Sequence, residues 1–435
     1  MNKSLNLSKK SFAIYGLGKT GESVINYFER KGFENWGAWD DNAKQEDFWG
    51  STNKKEGEKL FTKRLDSAQF IVISPGISLH KASLKKKLIE NQEKIITDLD
   101  LFYLFNPKIK TIVITGTNGK STTCKILEHV LRKNNTNVRL AGNIGKPILD
   151  LNLKDSPIVI IEASSFQLAY SKFVRPNYAA ILNITNDHLD WHGSSKNYIN
   201  SKFKIFSNQI KKDIAFIDDI KFLKKYKKAK YLAKLKFIKA EKYNKIKKFI
   251  KNNYLNLEVN QQNMSFVQAI SKTFKISDKS LIKSLRTFKG LPHRHEIIYE
   301  KNNKTFINDS KATSFEASKF ALKGNKNIYW ILGGLPKKGD KFYLKEISKN
   351  IIKAYIIGKN TKFFKRYLNG NINFEVSSNM KNAVISIFKD IKKIKDKNLN
   401  ILLSPASASY DQYKNFEERG NQFKKLILKY ARKNF

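Results

Sequence analysis

Thr111-Ile112-Val113-Ile114-Thr115-Gly116-Thr117-Asn118-Gly119-Lys120-Ser121-Thr122 is the stretch from which the rest of the chain can be read. Its first five residues are all β-branched, as expected of a buried strand. Two glycines then allow a tight turn, and helical spacing of apolar residues runs on to about Leu131. A strand entering such a turn ahead of a helix points backbone amides at a phosphate chain. Lys120 is placed to neutralise β and γ oxygens, and the hydroxyl of Ser121 or Thr122 to ligate Mg²⁺. The general phosphate-loop pattern has four residues between its glycines. Here only Thr117 and Asn118 intervene and Ile114 takes the outer position, so the loop is a shortened form. A plain turn would leave Lys120 beside the amides with no counter-charge. ATP binding by Gly116, Thr117, Asn118, Gly119, Lys120, Ser121 and Thr122 is the expectation.

Two similar modules flank this one. Upstream, the strand Phe12–Tyr15 leads into Gly16-Leu17-Gly18-Lys19-Thr20-Gly21, followed by helical spacing at Val24, Ile25 and Phe28. A second buried strand, Phe70–Ile73, ends in the turn Ser74-Pro75-Gly76. The central module adds strands at Ile158–Glu162 and at 178–183. Downstream, strands near 328–332, 354–357 and 400–404 precede a helix presenting Phe416, Phe423, Leu426, Ile427 and Tyr430 on one face. Strands alternating with helices predict an α/β fold of three domains with mainly parallel sheets: a Rossmann-like N-terminal domain (1–98), a central P-loop-type ATPase domain (99–290) and a C-terminal Rossmann-like domain (291–435).

Composition narrows the class. The 435 residues are 41% hydrophobic and 12% aromatic, enough for several packed cores. A single cysteine, Cys124, makes no intramolecular disulfide. No run of about 18 apolar residues occurs, so no membrane span is expected, and the reading is a cytoplasmic protein. The net charge of +45 raises the question of nucleic acid. Its densest part, residues 221–251, holds 14 lysines against the single acid Glu241, and no arginine. Base and phosphate readers depend on the bidentate guanidinium. A solvated lysine face accounts for the run, and no specific nucleic-acid partner is expected.

The Gly16–Gly21 turn with Asp40 some 20 residues on also fits a dinucleotide site, the basis of an alternative reading as a nicotinamide-dependent oxidoreductase. That reading leaves Gly116–Thr122 without a role. Any nucleoside diphosphate, a UDP-sugar included, satisfies the same glycine turn.

The shortened loop Gly116–Thr122 resembles that of the Mur ligases and the related folylpolyglutamate synthetases, ATP-dependent amide-forming enzymes. Further blocks resemble the D-glutamate-adding branch of the Mur ligases. They are Ala141-Gly-Asn-Ile-Gly145, Glu162-Ala-Ser-Ser-Phe-Gln-Leu168, Asn186-Asp-His-Leu-Asp190, Gly290-Leu-Pro-His-Arg294, Asn308-Asp-Ser-Lys-Ala-Thr313 and the long run from Leu403 to Gly420. The blocks keep their order from Gly16 to Gly420, essentially the whole chain. The resemblance implies an acyl-phosphate mechanism on UDP-N-acetylmuramoyl-L-alanine in peptidoglycan precursor synthesis, with ATP and D-glutamate as co-substrates and a monomeric enzyme.

Residue by residue, it implies that Lys120, Glu162, His188 and Lys202 carry the catalysis. Two Mg²⁺ sites would be held by Ser121, Glu162, His188 and Lys202, the last carbamylated. Asn263, Arg294 and Asp309 join the ATP site. Gly18, Lys19, Thr20, Asp41, Asn42, Ser74, Gly76, Asn143 and His188 surround the UDP-sugar. Lys311, Thr313, Lys337 (with Lys338 beside it), Ser409, Tyr410 and Phe416 bind D-glutamate. Three places depart from the family pattern: Gly333-Gly334-Leu335-Pro336 before Lys337, Tyr410 in place of an aliphatic residue, and Asn260-Gln-Gln-Asn263.

Overall fold

The computed structural model describes residues 7–42, 56–185, 187–336, 340–392, 394 and 397–434. The chain divides into two compact units, residues 1–252 with 260–288, and residues 253–259 with 289–435. Among the described residues there are three sheets, two in the first unit and one in the second.

The first sheet comprises β1 (Phe12–Tyr15), β2 (Trp36–Trp39), β3 (Phe70–Ile73) and β4 (Ile95–Ile96), all parallel, in the order β2-β1-β3-β4. The second has β5 (Thr111–Thr115), β6 (Val138–Gly142), β7 (Ile158–Glu162), β8 (Tyr178–Ile181), β9 (Ile214–Ile217) and β10 (Lys234–Phe237), parallel in the order β10-β9-β8-β5-β7-β6. All five residues of β5 are buried, as its β-branched run requires. The sequence pattern extends β8 to Asn183, but regular pairing stops at Ile181. Asn183 leaves the ladder because its carbonyl accepts the N–H of Thr117 and its side chain grips Asn118. One apolar core runs through both sheets, including Phe28, Leu99, Phe102, Ile148 and Val159. Tyr27 stacks on Phe105 at 4.8 Å, and Ser23 donates to Asp150 across the same seam.

The lysine-rich segment is a helix, Ile220–Lys228, that buries Phe222 and Tyr226, followed by edge strand β10. Lys234 on that edge is exposed. Lysines on an edge strand oppose pairing with other chains, which suits the solvated-face reading.

In the second unit, β11 (Glu296–Lys301) is antiparallel to β12 (Lys304–Asn308). Then follow β13 (Ile328–Gly333), β14 (Ile351–Ile357), β15 (Phe374–Ser378) and β16 (Leu399–Leu403), all parallel, in the order β11-β12-β16-β13-β14-β15. Two apolar layers cover the faces, one around Trp330 and Phe364, the other around Tyr355, Phe423 and Ile427. No described helix is long and apolar enough to cross a membrane. Cys124 is buried inside the helix Lys120–Lys133.

Candidate active site

In an open parallel sheet, ligands bind where loops leave the carboxyl ends of adjacent strands. Each sheet here gathers its predicted residues at such an edge. β1, β2 and β3 are neighbours, and their ends deliver Gly18, Lys19 and Thr20, then Asp41 and Asn42, then Ser74 and Gly76. The turn is tight for a stated reason: a Cβ on Gly21 would sit 2.0 Å from the Gly16 carbonyl oxygen. Ser74 Oγ donates to that same carbonyl at 2.6 Å. Asp40 accepts from the Leu17 and Asn42 amides, at 2.6 and 2.8 Å. Its carboxylate thus fastens the glycine turn, and the spacing that suggested a ribose-binding acid is spent on the loop itself. Asp41 accepts hydrogen bonds from Tyr15 Oη, Trp39 Nε1, Ser83 Oγ and the Ser83 amide. Burial would raise its pKa, but these donors outweigh it and hold the carboxyl below its ordinary value.

At the second sheet, β8, β5, β7 and β6 stand side by side and bring Lys120, Glu162, Asn143 and His188 to one edge. Gly119 has φ +81° and precedes the helix, and a Cβ there would lie 2.1 Å from Asn263 Oδ1. Asn263 is therefore packed on the loop, which accounts for a glycine at position 119 on two grounds. Asn183 receives the Asn118 amide at 2.8 Å and donates to Gln262 at 2.8 Å, while Gln262 donates to Asp218 at 2.7 Å. Thr117 bonds Thr185 and Tyr198. The loop is thus held from outside before any ligand arrives.

Two lysines converge inside it. Lys120 Nζ donates to the carbonyls of Gly116 and Thr117 at 2.8 and 2.9 Å. Lys202 Nζ, on a side chain only 1% exposed, donates to the same Gly116 carbonyl at 2.9 Å and lies over the Tyr198 ring at 4.7 Å. Burial, reinforced by the Lys120 charge, pushes the Lys202 pKa well below the ordinary lysine value. Glu162 is also 1% exposed. Its Oε1 accepts from Asn143 at 2.9 Å, and its Oε2 is buried with no hydrogen-bond partner. An unpartnered buried carboxylate oxygen is costly, and a cation relieves that cost. His188, at φ +52°, rests against Phe166 at 4.7 Å and pairs with Asp187 at 3.3 Å. Among the described residues no three His, Cys, Asp or Glu side chains form a metal set on their own. The unpartnered Oε2 of Glu162 and the hydroxyl of Ser121 are oxygen donors of the kind a hard divalent cation takes.

Sequence reading missed the aromatic group behind His188. His192 is 7% exposed, packs parallel to Phe166 and bonds Ser165 Oγ at 3.0 Å. Burial, with His188 beside it, lowers its pKa to about 4, so it stays neutral. Asn183 and Gln262 were also missed; a polar residue directly after an apolar strand was the available signal for Asn183.

In the second unit β12, β16 and β13 are adjacent. Their ends bring together Asp309, Lys311 and Thr313, then Ser409 and Tyr410, then the loop at Gly333 and Gly334. Leu335 and Ala408 exchange backbone hydrogen bonds at 2.8 and 3.0 Å, joining two of these loops. Lys337 and Lys338 lie outside the described residues. Lys311 Nζ sits over the Phe416 ring at 4.6 Å, while Ser409 is buried and Tyr410 is 72% exposed. Arg294 lies near enough to Asp309 to act on its charge.

Asp309 accepts from the His295 amide at 3.1 Å and shares a 2.8 Å hydrogen bond with Ser404 Oγ. Burial nonetheless raises its pKa to about 7. A carboxyl with a folded-state pKa above its unfolded value takes up a proton on folding. Its stabilising contribution is complete below about pH 4 and is lost as pH rises through about 7. Asp309→Asn is therefore expected to flatten the fall in stability between about pH 4 and 7, by about 2–4 kcal/mol across that range. Urea denaturation of both proteins at several pH values checks this; parallel pH curves would refute it.

The fold is shared with the MurF ligase of Thermotoga maritima, solved in complex with ADP, at a TM-score of 0.56 and 16% identity over 88% of this chain and 94% of that one. Residues 114–284 match the model of the Mur ligase middle domain, and residues 10–96 match that of the Mur ligase MurD-like, N-terminal domain. The chain belongs to the Mur ligase family. A protein of Wolbachia sp. subsp. Brugia malayi named UDP-N-acetylmuramoylalanine--D-glutamate ligase is 34% identical over 98% of each chain. The Rickettsia prowazekii protein of the same name is 35% identical over 96% of this chain and 98% of its own.

Proposed function

We propose that the chain joins D-glutamate to UDP-N-acetylmuramoyl-L-alanine, with ATP cleaved to ADP and phosphate. A carboxylate anion resists attack by an amine, so it is activated first. The alanine carboxylate oxygen attacks the γ-phosphorus and ADP departs, giving an acyl phosphate. The D-glutamate nitrogen then attacks the acyl carbon, an amide bond forms, phosphate leaves and the amine gives up its proton. The first step brings two anions together, which requires cations on the route. In this reading residues 1–98 hold the UDP-sugar, 99–290 the ATP and 291–435 the D-glutamate, and the enzyme works as a monomer in the cytoplasm.

The observation that carries the reading is the meeting of Lys120 and Lys202 on the Gly116 carbonyl, in the same loop edge as the unpartnered Oε2 of Glu162. Lys120 would move from that carbonyl to the phosphate oxygens. Mg²⁺, when bound, supplies charge neutralisation for the phosphates, and Ser121, Glu162, His188 and Lys202 would hold it. Lys202 suits this role once its nitrogen has added CO₂ and released a proton, because the resulting carbamate offers anionic oxygens. The structural preconditions are burial and the nearby positive charge, which favour the neutral amine.

The test is phosphate release from ATP with UDP-N-acetylmuramoyl-L-alanine, Mg²⁺ and bicarbonate, with D-glutamate, L-glutamate and other cell-wall amino acids in parallel. Release that depends on D-glutamate, with the amide product seen by mass, is expected. Release only with a different amino acid would refute the assignment of the substrate, and release with none would refute the reaction.

A further inference from the structure

Arg419 is one of the largest fully buried side chains in the chain, 0% exposed, on the helix that begins at Phe416. A guanidinium taken from water ordinarily requires a carboxylate nearby. None of the ion pairs among the described residues involves Arg419. It is held instead by neutral oxygens: Nε donates to Ser310 Oγ at 3.0 Å, Nη2 to the Ser310 carbonyl at 2.8 Å and Nη1 to the Gly333 carbonyl at 3.4 Å. Ser310 Oγ in turn donates to the Phe416 carbonyl at 2.8 Å. Burial lowers the guanidinium pKa to about 10, so the group is still charged at neutral pH.

These contacts join three segments. Ser310 immediately precedes Lys311 in the loop after β12, Gly333 ends β13, and Phe416 opens the helix that carries Arg419. Lys311 and Phe416 already touch, through the ammonium over the ring. One buried cation thus fixes the spacing of the groups at this edge, and Tyr413 and Asp411 lie near enough to act on its charge.

We propose that Arg419, acting through Ser310 and Gly333, is a positioning residue for the groups that meet D-glutamate at the second-unit edge; this rests on the functional reading given above. It does not contact the reacting atoms. Its role is to hold Lys311 and the Phe416 end of the helix in register.

The experiment compares wild type with Arg419→Met, Arg419→Lys and Ser310→Ala, measuring initial rates against D-glutamate, ATP and UDP-N-acetylmuramoyl-L-alanine separately, with urea denaturation of each protein. Arg419→Met is expected to raise the KM for D-glutamate about 10-fold or more, while the other two KM values move by less than about 3-fold. Arg419→Lys restores the charge without the fork and is expected to recover part of that loss. If Arg419→Met does not fold, Ser310→Ala keeps the charge and removes the bridging hydroxyl; its KM for D-glutamate is expected to rise several-fold. An unmoved KM for D-glutamate, or an equal rise for all three substrates, overturns the inference. Wild-type protein inactive with D-glutamate overturns the functional reading and this inference together, whereas active wild type with unmoved variants overturns this inference alone.

Discussion

Lys120→Ala is expected to lower the ATP-dependent ligation rate by about 10²–10³-fold while leaving the protein folded. The magnitude follows from what the ammonium does when the γ-phosphoryl group transfers: charge develops on its oxygens, and a preorganised cation stabilises that charge more than the ground state. Folding is expected to survive because the loop has its own supports. The Asn118 amide is held by Asn183, Thr117 by Thr185 and Tyr198, and Gly119 packs under Asn263. Removing Lys120 takes from the loop the hydrogen bonds to the Gly116 and Thr117 carbonyls. Single-turnover phosphate release with saturating substrates, beside a urea denaturation curve, measures both parts. A rate within about threefold of wild type would remove Lys120 from the mechanism.

The second large effect is at Lys202. Lys202→Met keeps the length and apolar stem of the side chain and removes its nitrogen; activity is expected to fall by about 10²–10³-fold. This variant separates two roles that alanine would confuse. A lysine serving only to pack against Tyr198 is replaced well by methionine, whereas a lysine that becomes a carbamate is not replaced at all. Wild-type protein incubated with ¹³C-bicarbonate is expected to show a carbamate carbonyl resonance that Lys202→Met lacks. Full activity in the methionine variant, or the same resonance in both proteins, would end the carbamate assignment. Lys120 also bears on this site, because its charge is one of the causes that keep Lys202 neutral. The two substitutions are therefore expected to be non-additive in a double-mutant cycle.

The framework of this protein was legible because its signals are local. An all-β-branched pentapeptide, two glycines and an apolar helical stripe are neighbours in sequence, so β5, its loop and the following helix could be read in one pass. The same holds for β1 and β3, whose observed limits, Phe12–Tyr15 and Phe70–Ile73, coincide with the pattern. Legibility weakened where a polar residue had several uses. Asp40 had the spacing of a ribose ligand, but the structure commits it to the Leu17 amide. Asn183 belonged to a strand by composition, and the structure takes it out of the strand to clamp a loop. Lys202 was one lysine among many, and only its burial against Gly116 sets it apart.

By itself the sequence determined three strand–glycine–helix modules, a phosphate-binding loop of unusual length, and an ordered series of motifs that placed the chain among the Mur ligases. Tertiary structure alone decided which strand ends become neighbours, and so which side chains share an edge. It put two lysine nitrogens on one carbonyl, left one oxygen of Glu162 without a partner, and sealed Arg419 between Ser310 and Gly333. The physical reason is one of range. Periodicity and turn chemistry act over a few residues, whereas desolvation and the pairing of charges depend on atoms that meet only after strands far apart in the chain have been ordered into a sheet.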